Sequence, residues 1–546
     1  FIRFISVINL IFSIIMENKK KGYFLLFDIF LFLCLGVGIV LSKFLINLGI
    51  TALIIRLIIS PKKELIENFK QNKVFILILS IFFILNLLGL LWTQDLKYGL
   101  GDINKKIPLL LIPLTIGLIS PLDKRIIKLF YLFYISALIF GVLWGSVNYL
   151  IQDNPDTIKL IFSISHIRFA LNLCFGIVSL TYILYKKKRI SKRIRISILS
   201  VILLFAGYLF LSQAITGIVI LFSMALIYIP YHIFKHRKRY ISYIILLFYL
   251  IIISYSSIWL YKEYSFYFTP NPIYNNNLSK TTPEGNPYDN LFDLKTIENG
   301  NYVYHYFCMS ELTREWEKRT GLNAFERVNT QNGEGAYIDF LVRYMNSIHP
   351  VKDAEEFNKL SDKDIENIKN GITNKVYTQR FNLRPRVYKL FYQIDAFVKY
   401  GKVKNFSEIQ RIELWKNSLS IIKDNPIIGI GTGDIAKDFE KELIKRNSEL
   451  YDSKLRAHNQ YLSVMICFGV LGFILFVYWL VYPGIKKGLF SNLVYSGFFF
   501  ISLMSMINED TLDNLFGIAF FILIQSLFVF NFKDIKELIE EDKEKS

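Results

Sequence analysis

Three side chains in this sequence have the type and setting needed to move a proton and hold a charged leaving group. His458, in Arg456-Ala-His458-Asn459-Gln-Tyr461-Leu462, opens a long apolar run. An imidazole titrates near neutral pH, so it can take a proton from an attacking hydroxyl. Arg411, in Arg411-Ile-Glu-Leu-Trp415, carries a planar guanidinium that stays charged and pairs with two phosphate oxygens at once. Such a group can steady a departing diphosphate without a metal. Arg168, in Ser165-His-Ile-Arg168, falls several residues inside an apolar run. A cation there costs at least about 2.5 kcal/mol on insertion scales and marks a functional candidate. The plainer alternatives are a surface histidine at a helix start, an arginine on the wet face of its helix, and an arginine snorkelling to the interface.

Other motifs carry less chemistry. Gly429, Gly431 and Gly433, in Asn425-Pro426-Ile-Ile-Gly429-Ile-Gly431-Thr-Gly433-Asp434, permit positive φ and close backbone approach. They read as a turn and helix stop ahead of a ligand contact, and the G-x-G-x-G spacing is not a dinucleotide fingerprint. His305, His349 and His458 are far apart and lack zinc-type spacing, so neither a metal nor a cofactor is expected. Glu509, Asp510 and Asp513 read as capping and solvated-loop residues before they read as a cation site.

The elements that must position these residues are membrane helices. The chain has 546 residues, 53% hydrophobic and 20% charged, too apolar for a soluble multidomain protein. Apolar stretches at 23–41, 44–59, 74–92, 107–120, 127–150, 161–185, 196–211, 215–232, 241–260, 459–482, 490–507 and 515–531 predict about twelve spans. The net charge of +19 does not imply nucleic acid, because the basic residues sit in short loops such as Lys62 to Lys73, Lys186 to Arg195, Lys235 to Arg239 and Lys486/Lys487. Two spans separate successive loops, which places them on the cytoplasmic side and both termini with them. The expected organisation is a cytoplasmic segment 1–22, spans one to nine in 23–260, a large and mostly helical periplasmic domain 261–457, spans ten to twelve in 458–532, and a cytoplasmic tail 533–546. Met16 is a candidate start, which would leave 1–15 as upstream residues or an extra amphipathic piece. Cys34, Cys174 and Cys467 lie in expected spans and only Cys308 in the outer domain, so no disulfide framework is expected.

Within 261–457, residues 263–300 read as irregular loop. Glu311 to Thr320, Gly335 to Ile348 and Ser361 to Gly371 read as helices, the last opened by a Ser361/Asp364 capping pair. Ser407 to Lys423 is the clearest helix, ended by Asn425-Pro426.

The order of an Arg411–Trp415 helix, a Pro-x-x-Gly-x-Gly turn at 426–431 and His458-Asn459 at the top of the next span closely resembles the signature of the O-antigen ligase and polymerase superfamily. Glu298-Asn299-Gly300-Asn-Tyr302, Leu341-Val-Arg343-Tyr344 and Asn508-Glu509-Asp510-Thr511-Leu512 are similar to the Bacteroidetes branch, extending the resemblance from about residue 74 onward. It implies a GT-C-like, all-α polytopic membrane glycosyltransferase of the bacterial inner membrane. The donor would be a glycan on undecaprenyl diphosphate, and the acceptor lipid A–core or another glycan. His458 would activate the acceptor hydroxyl and Arg411 and Arg168 would bind diphosphate, supported by Trp415, Arg456, Asn459 and the three glycines. One departure stands out. Many members carry an Arg in a Ser-Arg-Thr-Gly element where this chain has Gln213-Ala-Ile-Thr-Gly217, and Arg168 is the candidate replacement. An O-antigen polymerase and a protein oligosaccharyltransferase share the chemistry and differ in acceptor. A flippase for the same lipid-linked glycans would instead predict interrupted helices in paired positions and charges at mid-membrane.

Overall fold

The computed structural model describes residues 19–151, 164–187, 190–235, 239–272, 279–330, 333–379, 382–404, 406–452 and 455–540. Met16 with the segment before it, the connection 152–163, parts of the basic runs 186–195 and 235–239, and the end of the tail lie outside the described residues.

Runs of Leu, Ile and Phe that meet lipid must satisfy their backbone polar groups internally, which leaves helix as the solution. The helices are α1 (Lys19–Leu41), α2 (Lys43–Ile59), α3 (Lys62–Leu88), α4 (Leu96–Lys106), α5 (Pro108–Ile119), α6 (Lys124–Ile151), α7 (His166–Lys186), α8 (Lys192–Leu211), α9 (Ile215–Lys235) and α10 (Arg239–Phe268). After an intervening domain come α16 (Ser407–Asp424), α17 (Ile435–Lys445), α18 (Gln460–Lys486), α19 (Leu493–Asn508) and α20 (Leu515–Glu540). Each of the twelve apolar stretches overlaps a helix over its described residues. Seven helical segments there are long and apolar enough to cross a membrane: Gly22–Leu41, Lys62–Trp92, Lys124–Ile151, His166–Lys186, Lys192–Leu211, Gln460–Lys486 and Leu515–Leu538. The protein is an all-α, multi-pass membrane protein with almost no sheet.

Several span helices start on a side-chain cap, which satisfies amide groups that the first turn leaves free. Ser165 accepts from the Arg168 amide, Ser191 from Ile194, Asn459 from Tyr461 and Leu462, and Asn492 from Val494 and Tyr495.

Packing divides the chain into two compact units, Phe1–Ala225 with Val403–Ser546, and Leu226–Lys402. This partition differs from the 261–457 domain expected from hydropathy. The Arg411 helix, the glycine turn and the approach to His458 belong to the unit that holds most of the span helices.

In that first unit α20 is enclosed, with Ile518, Ile522, Leu523, Gln525 and Ser526 at 0% exposure. Phe82, Phe476, Trp479 and Phe521 form an aromatic stack across α3, α18 and α20, and the Trp479 indole donates to the Leu79 carbonyl at 2.7 Å.

The second unit is built around a core that includes Trp316, Leu341, Tyr344, Phe357 and Ile368. Its helices α11 (Met309–Thr320), α12 (Tyr337–Asn346) and α14 (Asp362–Lys369) follow the expected segments within a few residues, and Ser361 and Asp364 form the expected reciprocal cap. Two hairpins and two helices lay in stretches not read as ordered: β1 (Ile297–Glu298) with β2 (Asn301–Tyr302), β3 (Arg327–Thr330) with β4 (Gly333–Ala336), the short α13 (Ala354–Asn358) and α15 (Arg384–Tyr400). The first hairpin turns at Asn299-Gly300, both at positive φ, as a two-residue Asn-Gly turn requires. It brings Glu298 to Arg343, whose guanidinium donates to the carboxylate at 2.9 and 3.3 Å and stacks over Tyr392 at 4.0 Å. Two of the sequence pieces that carried the resemblance are thus halves of one buried ion pair.

Candidate functional site

The site is assembled where the starts of α7 and α18, the end of α19 and the second turn of α16 meet. His458 immediately precedes the Asn459 cap of α18 and has φ +47, a left-handed conformation unusual for a residue with a side chain. Its amide donates to Asp510 Oδ2 at 3.0 Å, while Asp510 Oδ1 accepts from the Ser463 hydroxyl at 2.6 Å. The Leu512 amide donates to Gln460 Oε1 at 2.7 Å. The connection 509–514 is therefore laced to the first turn of α18, and His458 is held from its backbone.

Arg456 points the other way, into a closed ring of charge. Its guanidinium donates to Asp102 Oδ1 at 2.8 Å, to Asp513 Oδ2 at 2.6 Å and to the Tyr98 hydroxyl at 2.9 Å. Lys106 Nζ lies 2.6 Å from Asp102 Oδ2 and 2.9 Å from Asp513 Oδ1. Two cations and two anions alternate with little exposure, so each buried charge has its counter-charge. Burial opposes charge on Asp513, but Lys106 and Arg456 hold its carboxyl well below the usual range. At Asp510 burial, with Asp513 nearby, outweighs the Ser463 hydrogen bond and the charges of Arg456 and His458 and pushes the carboxyl up to about 6.

Arg411 and Arg168 converge on a residue that sequence reasoning did not assign to the site. Glu509 Oε1 lies 3.3 Å from an Arg411 terminal nitrogen, and Oε2 lies 3.7 Å from one of Arg168 and 4.0 Å from His458 Nδ1. All three expected residues thus come together around one carboxylate. The expectation that Glu509, Asp510 and Asp513 face solvent is corrected: side-chain exposure is 16% at Glu509 and 12% at Asp513, and Asp510 is buried. An acidic cluster between two apolar runs looks like a solvated turn in sequence, and its partners Arg456 and Lys106 are distant along the chain. The signal present in sequence was the Asp102/Lys106 pair, one helical turn apart on an amphipathic α4.

Arg168 sits in the first turn of α7, where a terminal nitrogen also reaches the Ser165 hydroxyl at 3.3 Å. The departing element Gln213–Gly217 lies against the same helix. The Cys174 thiol donates to the Gly217 carbonyl at 3.4 Å, and a Cβ at Gly217 would approach Ala170 to 3.2 Å. Beside Arg168 a narrow, mostly apolar cleft is lined by Leu171, Asn172, Ile501, Ser505, Phe516 and Phe520. Trp415, one turn after Arg411, keeps its indole N–H buried without a partner.

The glycine turn follows the end of α16 with the positive φ and close backbone approach expected of it, and it has a further structural task. Helix α18 is interrupted at Gly469, with φ +59 and ψ −162. The amides of Val470 and Leu471 turn to the Pro426 and Ile427 carbonyls at 2.9 and 3.2 Å, while the freed carbonyls of Ile466 and Cys467 accept from Ile430 and Gly431 at 2.9 Å each. The segment 426–431 is spliced into the helix ladder, replacing two helical bonds with four. Gly429 and Gly431 have positive φ, and a Cβ at Gly429 would overlap the Cys467 carbonyl carbon. Gly433 donates to Thr93 Oγ1 at 2.8 Å, and Asp434 accepts from the Gln94 and Asp95 amides at 2.8 Å each.

Residues 341–477, which include Arg411, the glycine turn and His458, match the family model described as O-antigen ligase. This stretch of the chain is similar to the O-antigen ligase family. No curated protein shows a significant match to it. For residues 341–477 that likeness suggests glycosyl transfer of the ligase or polymerase type, with a lipid-linked glycan and an acceptor. Among the described residues no group of three or more His, Cys, Asp or Glu side chains is arranged to hold a metal ion.

Proposed function

We propose that the protein transfers a glycan from undecaprenyl diphosphate to a sugar hydroxyl at the periplasmic face of the inner membrane, with lipid A–core as acceptor. The observation that carries this reading is the convergence of Arg411, Arg168 and His458 on one anion-sized position. Two guanidiniums can hold a diphosphate and stabilise the charge it gains on leaving, without metal assistance. The acceptor oxygen forms a bond to the anomeric carbon as the bond to the diphosphate oxygen breaks, and the bonding pair departs with the diphosphate. His458 takes the hydroxyl proton. The apolar cleft beside Arg168 suits the first units of the lipid tail.

The test is transfer by purified protein given lipid-linked donor and acceptor in EDTA. His458→Ala and His458→Gln should each lose about 10²–10⁴-fold of rate while donor binding persists. Near wild-type turnover in either variant would defeat the base assignment, and inhibition by EDTA would defeat the metal-free mechanism.

One observation favours a second reading, a flippase for the same glycans: α18 is interrupted within an apolar helix at Gly469. The interruption is filled by the chain's own loop and the charged residues gather at helix ends, both of which suit an enzyme better. Lipid-linked donor moving across vesicles without acceptor would favour the flippase.

A further inference from the structure

Glu509 lies where the substrate's charge is expected to go. Its carboxylate is shared among three groups at 3.3, 3.7 and 4.0 Å. These contacts are long beside those of the nearby ring, where Lys106, Arg456, Asp102 and Asp513 approach to 2.6–2.9 Å. The ring balances its charges and is closed. Around Glu509 two permanent positive charges share one carboxylate at these longer distances, with Asp510 the further acid acting on Arg168, so a more highly charged anion would satisfy the two guanidiniums better. Its backbone is fixed, since the Glu509 amide donates to the Ser505 carbonyl at 3.0 Å, while among the described residues its side chain is tied by the shared contacts.

Resting on the reading of Arg411 and Arg168 as diphosphate ligands, we infer that Glu509 is an internal stand-in for the donor diphosphate, displaced from both arginines when donor binds and left beside His458 as its positioning partner. The diphosphate, with more charge and more oxygens, takes the guanidinium forks. Glu509 then accepts a hydrogen bond from His458 Nδ1–H, which fixes the tautomer with Nε2 free for the acceptor hydroxyl proton and stabilises the imidazolium that forms. No proton passes to Glu509.

The two roles predict effects of opposite sign. Glu509→Gln keeps the shape and removes the charge. On the full chain in detergent, inorganic pyrophosphate should bind on the order of tenfold more tightly, because nothing charged competes for the arginines. With lipid-linked donor and acceptor, kcat should fall at least about tenfold as His458 loses its anionic partner. Adding Arg411→Gln to Glu509→Gln should cancel the gain in pyrophosphate affinity. Weaker pyrophosphate binding in Glu509→Gln would mean that Glu509 scaffolds the arginines, and an unchanged kcat would remove its positioning role; either overturns the inference. If Glu509→Gln does not yield monodisperse protein, Glu509→Asp, which withdraws the carboxylate by one methylene, should shift both quantities in the same directions. The underlying reading fails separately: pyrophosphate binding unaffected by Arg411→Gln and by Arg168→Gln in the otherwise native chain would show that these arginines bind no diphosphate.

Discussion

A cation in the first turn of a membrane helix is useful only if something outside the helix needs it, and Arg168 now has company that a snorkelling side chain would not require. It faces Glu509, stands beside the apolar cleft, and shares its helix with the packing site of the Gln213–Gly217 element. Arg168→Ala should therefore insert normally and lose most transfer activity, about tenfold or more, through weaker donor use. Full activity in correctly inserted protein would leave Arg168 as an interfacial anchor. Asp510 offers a test of a different kind. Burial, with Asp513 nearby, raises its carboxyl to about 6, against an ordinary 3.8. A raised carboxyl pKa means that the folded state keeps a proton that the unfolded chain has released, so this residue's contribution to stability declines as pH rises from about 4 to 6 and is constant above. Asp513, held low, acts in the opposite sense and only below the ordinary carboxylate range. Thermal unfolding in detergent should show Asp510→Asn gaining a few degrees on the native protein at pH 7 relative to pH 4.5. An equal difference at the two pH values would remove the assignment. His458, Arg411 and Arg168 were legible in the sequence because each is a chemically costly or distinctive residue in a recognisable neighbourhood. Glu509, Asp510 and Asp513 were not, because their partners are supplied by other segments distant along the chain and nothing local distinguishes a buried carboxylate from a solvated one.

Between residue and molecule, the interruption of α18 ties the glycine turn to the helix that His458 precedes. The apolar helices were readable from apolar length alone, and α11, α12 and α14 of the second unit from spacing and caps, while α13 and α15 were not. The splice was not, because a Pro-x-x-Gly-x-Gly segment and a lone glycine in an apolar run each have ordinary local explanations, and only tertiary pairing joins them. The joint is demanding. A Cβ at Gly469 would overlap Ile427 backbone atoms, a Cβ at Gly429 would overlap the Cys467 carbonyl, and both residues have positive φ. Gly429→Ala and Gly469→Ala should each cost about 3 kcal/mol or more, from left-handed backbone strain plus backbone displacement, and should lower folded yield and Tm. Gly101→Ala, in the middle of α4 with open space around its Cβ, is the control and should be neutral or stabilising by about 0.5–1 kcal/mol. Equal tolerance at all three positions would mean that the splice contributes little to the fold. A loss confined to Gly429 and Gly469 would tie the family's glycine motif to helix architecture, leaving substrate contact to the charged residues.

At the scale of the whole molecule, the reaction depends on which side of the membrane the site faces, and charge and chain direction together bear on that. The first is charge: basic loops recur after every second span, and basic residues concentrate on the cytoplasmic side. The second is chain direction. Arg168 and His458 stand at the starts of α7 and α18, and Glu509 directly follows the end of α19. The basic residues Lys186 and Lys486/Lys487 stand at the far ends of α7 and α18. If those ends are cytoplasmic, the arginines, the histidine and Glu509 share the periplasmic face, where lipid-linked glycans are used. Continuing the alternation through α8, α9 and α10 brings the chain back to that face near Phe268. Reporter fusions after Arg195 and after Arg239 should therefore give cytoplasmic signals, and a fusion near Thr330 a periplasmic one. The Thr330 fusion is the decisive one, because it lies beyond the last basic loop before the second unit and integrates every crossing ahead of it. A cytoplasmic signal there would require an odd number of miscounted spans between α7 and α10 and would overturn the topology on which the proposed periplasmic reaction rests.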